Sequence, residues 1–94
     1  MLQPSLIQPK DFDDILNEAF KKTEQEKLKL RDVIRYATDE GKTPQHFTNF
    51  IFRTDEGTPM VFSKSGTEGR YEIGTAADFE TTTYGKISGY YTRR

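Results

Sequence analysis

The chain has 94 residues and a mass of 10.9 kDa, which is the size of one small domain, and we predict a single domain over residues 1–94. It contains 14 Lys and Arg against 15 Asp and Glu, so its net charge is −1, and it has no cysteine and one histidine. This composition excludes disulfide frameworks, thiolate metal sites, cysteine nucleophiles and metal sites built on a pair of histidines.

The first forty residues predict an extended arm followed by one long helix. Residues 1–10 carry two prolines and form the arm. From Lys10 to Glu40 there is neither Pro nor Gly, and on a helix the apolar side chains of this region share one stripe about 140° wide. The stripe consists of Phe12, Ile15, Leu16, Ala19, Phe20, Leu30, Val33, Ile34 and Ala37. The pattern predicts a helix over about residues 11–40, ended by Gly41.

A pair of shorter helices is the alternative for the same region. Thr23 followed by Glu26 is a capping-box pattern, which would start a second helix after a break near Lys22. A turn at that point would not be expected to keep the apolar side chains before and after it on the same side of the helix. The preserved direction therefore favours the single helix.

The second half of the chain predicts strands, because from Phe47 onward it is rich in Thr, Phe, Tyr, Ile and Gly. Residues 49–54 and 58–63 flank Asp55-Glu56-Gly57, which predicts a three-residue hairpin loop with Gly57 in the left-handed conformation.

A short helical turn over residues 75–79 is predicted from Thr75, which would cap it together with Asp78. Residues 81–92 predict a final strand or hairpin. The expected fold class is therefore α+β, with one long N-terminal helix packed on an antiparallel sheet of three to five strands over about residues 48–92. The sheet region as a whole would span residues 47–94.

The sequence gives little support for an enzyme. His46 is the one side chain that normally titrates near neutral pH, but no motif supplies a nucleophile or carboxylate beside it, so a structural role is favoured. Acidic residues cluster at Asp11, Asp13, Asp14 and Glu18, without the spacing or glycine of a calcium loop. Such acidity is typical of a helix N-terminus, so we expect no metal and no cofactor.

We expect the chain to be a small non-enzymatic binding module that acts through protein–protein contact, as an adaptor, inhibitor or regulatory protein such as those of phages and mobile elements. The candidate partner-binding residues are Leu28 and Tyr36, which point away from the apolar stripe of the expected helix. The stripe itself could pair with a second copy, giving a homodimer.

Nucleic-acid binding is the alternative function. Aromatic and basic residues alternate near the C-terminus, and together they offer rings for base stacking and cations for phosphates. The residues concerned are Lys64, Arg70, Tyr84, Lys86, Tyr90, Tyr91, Arg93 and Arg94. Against this, the sequence pI of about 5.8 is low for a nucleic-acid-binding domain.

Neither a membrane span nor a secretory signal is predicted. No uninterrupted apolar run is longer than that of Phe50-Ile51-Phe52, and the N-terminal residues have no basic region followed by an apolar core. We therefore expect a cytoplasmic location.

Overall fold

The computed structural model describes residues 9–65 and 70–94, with side chains at residues 11–63 and 70–94. One helix and six strands make up its regular elements. They are α1 (Pro9–Ala19), β1 (Phe20–Thr23), β2 (Val33–Thr38), β3 (Thr43–Arg53), β4 (Pro59–Ser65), β5 (Arg70–Thr75) and β6 (Lys86–Arg93). Short 3-10 turns lie at Gln25–Lys27, Asp39–Gly41 and Ala76–Phe79.

All six strands belong to one antiparallel sheet, in the order β1-β6-β2-β3-β4-β5. The first strand and the last pair with each other, so Phe20 lies opposite Arg93. β2 is central, between β6 and β3, while β1 and β5 form the two edges. The expected class, a long helix on three to five strands, was wrong: the fold is mostly β, with one short helix on six strands.

The predicted helix over residues 11–40 ends at Ala19. The alternative of two helices was also wrong, because the chain enters strand β1 at Phe20 and contributes a second strand, β2, before residue 40. Arg31 has a φ of 76°, which lies outside the helical region. The expected arm over residues 1–10 also changes, since Pro9 already belongs to α1 and residues 1–8 lie outside the described part of the chain.

Burial of β2 on both faces explains the misreading. Val33, Ile34, Arg35 and Tyr36 are all buried, with exposed fractions of 2%, 0%, 7% and 0%. A strand covered on both faces lacks the alternation of apolar and polar residues that identifies a half-exposed strand. The apolar spacing in this segment matched a helix, although its β-branched and aromatic residues suit a strand.

Two turn predictions are confirmed. Between β3 and β4, Thr54 N–H donates to Thr58 O over 2.9 Å and Gly57 N–H donates to Thr54 O over 2.9 Å, which gives the expected three-residue loop, with Gly57 at φ 86°. The turn at Ala76–Phe79 is capped as expected, because Thr75 Oγ1 accepts from Asp78 N–H and Asp78 Oδ2 accepts from Thr75 N–H, both at 3.1 Å.

The sheet has an apolar core on each face. Beneath α1, Leu16 packs with Val33 and Tyr91, and Phe12, Phe20 and Phe47 surround them. We call this side the helix face. The opposite face holds the larger core, whose buried members are Leu28, Ile34, Tyr36, Phe50, Val61, Ala76 and Phe79. The turn at Ala76–Phe79 closes that face.

A largely buried ion pair fixes α1 to the sheet. Arg35 Nε donates to Asp13 Oδ1 over 2.6 Å, and Arg35 Nη2 donates to Asp13 Oδ2 over 3.1 Å. The same guanidinium donates from Nη1 to Gly41 O and Ser88 Oγ, at 2.7 and 2.8 Å. The bidentate geometry therefore sets both the position and the rotation of α1 on β2.

Asp13→Ala should lower the free energy of unfolding by about 2–3 kcal/mol, because it leaves a buried guanidinium without its carboxylate. Urea denaturation measures the change. Asp14→Ala, at the exposed neighbouring position, should shift it by less than about 0.5 kcal/mol. Equal effects of the two substitutions would show that the ion pair does not hold the helix.

Gly85 permits a close approach between the chain before β6 and the end of β2. It has a φ of 83°, and a Cβ there would overlap the Ala37 carbonyl oxygen. Gly57 has a similar φ of 86° but open space around it.

Gly85→Ala should therefore destabilise the fold by more than about 3 kcal/mol, through overlap added to backbone strain. Gly57→Ala adds only the strain of a positive φ, without an overlap, and should lower the free energy of unfolding by about 1 kcal/mol. Thermal unfolding of the two variants compares these costs. A Gly85→Ala variant as stable as the Gly57→Ala variant would contradict the close approach.

Candidate functional site

One row of paired residues crosses the helix face from β6 to β5. Tyr91 lies opposite Val33, Val33 opposite Asn49, Asn49 opposite Phe62, and Phe62 opposite Ile73. Tyr91 and Val33 lie beneath α1 and are 8% and 2% exposed, whereas Ile73 at the other end is 65% exposed. The row is covered at the β6 end and bare at the β5 end.

The width of α1 accounts for this difference. A helix with its side chains is about 10 Å across, and neighbouring strands are about 4.8 Å apart, so one helix covers two or three strands. Packing of Leu16 on Val33 and Tyr91, together with the stacking of Phe12 on Phe47, places α1 over β6, β2 and β3. No described element covers β4 and β5 on this face.

A groove of about 620 Å³ lies beside α1 and extends to Phe62 on β4. Most of its lining is apolar and includes Phe12, Phe20, Leu30 and Phe62. Within the described part of the chain, the charged residues that line it are Arg31 and Arg93, which are both cationic. The groove is therefore an apolar surface with positive charge at its margin, and we call it the α1 groove.

Among the side chains that the structure describes, the exposed large hydrophobic ones are Ile15, Leu30, Phe52, Tyr71 and Ile73, at 41%, 65%, 50%, 63% and 65%. Leu30 lines the α1 groove. Tyr71 and Ile73 lie on the helix face of β5, since Ile73 is opposite Phe62 and Tyr71 stacks on Phe62 with centroids 5.0 Å apart.

The other two side chains belong to the same side of the molecule. Phe12 stacks on Phe47 of β3, and Ile15 follows it by three residues, which places the two side chains about 60° apart on the helix. Ile15 is therefore on the flank of α1 that lies towards β3. Phe52 reaches the helix face because of a bulge between Phe50 and Phe52, which places Phe50 opposite Val61 and Phe52 opposite Met60. Phe52, Tyr71 and Ile73 are therefore exposed on the same face as Phe62, which lines the α1 groove together with Leu30.

Leu28 and Tyr36, the predicted partner-binding residues, lie in the core opposite the helix face. Leu28 is 8% exposed and Tyr36 is 0% exposed, so the premise that they point to solvent was wrong. It was derived from a helix that the chain does not form. The prediction of a homodimer through the stripe of that helix loses the same basis.

The Tyr36 hydroxyl is satisfied inside the core. It donates to Ala76 O over 2.7 Å and accepts from Thr48 Oγ1 over 3.4 Å, which links β2 to the turn that closes the face. Burial raises the pKa of Tyr36 to about 12, because the phenolate would lose its hydration. Tyr36 is therefore a structural residue.

His46 packs against this core as well. Its ring stacks on Tyr84 with centroids 3.9 Å apart, and Nε2 shares a hydrogen bond of 2.7 Å with Ser63 Oγ. Burial lowers the pKa of His46 to about 4, so the ring is neutral at pH 7. A neutral histidine beside a serine hydroxyl is the arrangement that activates a serine nucleophile. Ser63, however, is 1% exposed, which keeps its hydroxyl out of reach of a substrate.

The aromatic residues of the nucleic-acid hypothesis do not form a stacking platform. Tyr90 packs against the core opposite the helix face, whereas Tyr91 is buried beneath α1 on the other face. Tyr84 stacks on His46. Each of these rings already packs against the protein.

The basic residues of that hypothesis are spread over the molecule. Lys86 and Arg93 lie at opposite ends of β6, seven residues and therefore about 23 Å apart. Arg70 is on the edge strand β5, and Arg94 Nη2 donates to Asn17 O over 3.3 Å. The side chain of Lys64 lies outside the described residues. Nucleic-acid binding stays a prediction, without a clustered site for the residues proposed.

Within residues 9–65 and 70–94, no three His, Asp or Glu side chains are grouped to hold a metal ion. Asp13, one of the acidic cluster, pairs with Arg35 instead. Within the same residues, no helix has the length and apolar character needed to cross a membrane. Comparison of the chain with protein-family models, with curated proteins and with solved structures finds no match.

Titration of His46 should make the free energy of unfolding depend on pH. Its pKa in the fold is about 4 against 6.5 in the unfolded chain, so between these values the unfolded state binds more protons. The contribution of the neutral His46 to the free energy of unfolding is therefore complete above pH 6.5, and it is lost as the pH drops towards 4. We expect a loss on the order of 2 kcal/mol, reduced from the full shift because the ring is not fully buried.

Urea denaturation at pH 7.0, 6.0 and 5.0 measures this slope. His46→Gln, which does not titrate, should be less stable at pH 7 and should show a smaller decrease between pH 7 and 5. If the free energy of unfolding of the wild type and of His46→Gln decreased equally between pH 7 and pH 5, the pH dependence would belong to groups other than His46.

Proposed function

We propose that this chain is a non-enzymatic module that binds a segment of another protein in the α1 groove. The observation that carries the proposal is an apolar groove beside α1, in which Leu30 is 65% exposed, next to the uncovered strands of the helix face, where Tyr71 and Ile73 are 63% and 65% exposed. Single exposed hydrophobic residues are common, but several of them on a face that also carries an apolar groove are typical of a binding site.

The chemistry of the groove selects the kind of segment. Its apolar lining, with Leu30 and Phe62, favours a ligand with several hydrophobic side chains. Arg31 and Arg93 are the charged residues among the described ones that line it, so acidic residues in the ligand would complement them. The expected occupant is therefore an apolar protein segment flanked by Asp or Glu.

The buried polar groups give no comparable support for catalysis. The Ser63 hydroxyl, which is hydrogen-bonded to His46, and the Tyr36 hydroxyl belong to residues that are 1% and 0% exposed. Reaction with a substrate would require the core to open. A binding role needs no such opening, because the α1 groove is already at the surface.

Panning of a random peptide library on the purified protein tests the proposal. The enriched peptides should combine hydrophobic residues with Asp or Glu. Leu30→Asp, at a 65% exposed groove position, should weaken their binding at least tenfold, because it places a charge on the apolar lining and repels the acids. Ala77→Asp, an exposed position next to the core of the opposite face, is the matched control and should leave the affinity unchanged.

The role of the arginines is tested with the same peptides. Arg93→Ala should weaken binding several-fold and reduce its dependence on salt, whereas Lys42→Ala, at an exposed site outside the groove, should not. Peptides that bind the Leu30→Asp variant as well as the wild type would contradict the proposal. Tight, salt-dependent binding of labelled oligonucleotides, lost in Lys86→Ala/Arg93→Ala, would favour nucleic-acid binding instead.

A further inference from the structure

The α1 groove crosses the strands of the sheet rather than following one of them. It is lined by residues of five neighbouring strands, β1, β6, β2, β3 and β4 in the order of the sheet. In that order, these residues include Phe20, Arg93, Val33, Asn49 and Phe62. The four spacings between these strands amount to about 19 Å, which is the length of the groove across the sheet.

α1 passes over the same part of the sheet, beside the groove. Phe12, near its start, stacks on Phe47 of β3. Leu16, one turn later, packs with Val33 of β2 and Tyr91 of β6, and β1 follows directly after α1. Because Phe12 also lines the groove, α1 forms one of its sides. A second helix could therefore lie beside α1, at the separation of about 8–10 Å that is usual for packed helices.

The face of the sheet offers side chains to an occupant, but no backbone hydrogen bonds. β6, β2, β3 and β4 each have a neighbouring strand on both sides, so their backbone groups are engaged within the sheet. Among the described residues, the polar side chains that line the groove are Asn49, Arg31 and Arg93. Asn49 Nδ2 already donates to Arg31 O over 3.2 Å. An extended segment across this face would bury backbone groups without partners, whereas a helix satisfies its own.

We propose that the occupant of the α1 groove is an amphipathic helix of a partner protein, which lies beside α1 and across the strands. This inference rests on the proposed function of the groove, and it adds the conformation and the direction of the bound segment. A helix that spans about 19 Å needs about 13 residues. Its apolar side chains would recur at positions i, i+3, i+4, i+7 and i+11, on the side that faces the sheet.

Charge among the described lining residues is confined to one end of the groove. Arg93 belongs to β6 and Arg31 comes two residues before β2, and these two strands are neighbours. Both arginines are exposed. Towards the other end, Asn49 of β3 is uncharged and Phe62 of β4 is apolar. The acidic residues of the helix should therefore lie at the end that is over β6 and β2, which we call its acidic end.

Two libraries of 15-residue peptides, selected on the purified full chain, test the conformation. In the helical library, hydrophobic and acidic residues are varied at the helical spacing within an alanine-rich frame. In the extended library, the same residues alternate with threonine. The best helical peptide should bind at least tenfold more tightly than the best extended one. Its affinity should fall at least tenfold in the Leu30→Asp variant and stay unchanged in Ala77→Asp.

Substitutions on the solvent side of the best helical peptide separate its conformation from its contacts. Replacing one central alanine by glycine should weaken binding about fivefold, and replacing it by proline at least about a hundredfold, because both oppose the helix without removing a contact. The same glycine at the peptide terminus, where the helix frays, is the matched control and should change the affinity by less than about twofold. Isothermal titration calorimetry measures these affinities.

A nitroxide at either end of the same peptide reports its direction. At the acidic end it should broaden the NMR signals of Phe20 and Arg93 most strongly, and at the other end those of Phe62. Equal broadening of Arg93 and Phe62 by each label would overturn the direction across the strands.

The outcomes also separate this inference from the proposed function. Peptides that bind the wild type but not Leu30→Asp, and that tolerate the central proline, would overturn the helical occupant and leave a binding groove in place. If no peptide of either library depended on Leu30, both the occupant and the proposed function would be contradicted.

Discussion

Burial of β2 on both faces is the constraint on which the rest of the fold depends. Its side chains supply apolar contacts to both cores, and Arg35 adds a buried charge on the helix face. A buried guanidinium requires a carboxylate, and Asp13 on α1 provides it in bidentate geometry. Because α1 is joined directly to β1, that contact also determines where the first edge strand meets β6.

Fixing α1 over β2 leaves β4 and β5 without cover on the same face. α1 packs on Val33 and Tyr91 and stacks Phe12 on Phe47, whereas Tyr71 and Ile73 on β5 are 63% and 65% exposed. The uncovered strands carry hydrophobic residues rather than the polar residues of an ordinary solvated face, as Tyr71 and Ile73 illustrate. The α1 groove adjoins this surface, and the proposed binding site follows from the narrowness of the cover.

Local signals in the sequence predicted local structure well, whereas long-range pairing was missed. The loop at Gly57 and the cap at Thr75 depend on residues within a few positions of each other, and both were predicted correctly. β1 pairs with β6 across almost the whole chain, a contact that no short pattern encodes. Leu28 and Tyr36 were misplaced as a consequence. One signal of the exposed surface was present: Arg70-Tyr71-Glu72-Ile73 alternates charged and apolar residues, as a strand with one apolar face does.

Solvent paramagnetic relaxation of the side-chain methyl groups tests most directly whether β4 and β5 are uncovered on the helix face. With a soluble gadolinium chelate and dilute protein, the methyl groups of Ile73 and Leu30 should relax rapidly, and those of Val33 and Leu16 slowly. The two groups are 65% against 2% or less exposed, and Val33 belongs to the same row of paired residues as Ile73. If the Ile73 methyl groups relaxed as slowly as those of Val33 in the dilute protein, β5 would be covered on the helix face. That result would contradict a binding surface there.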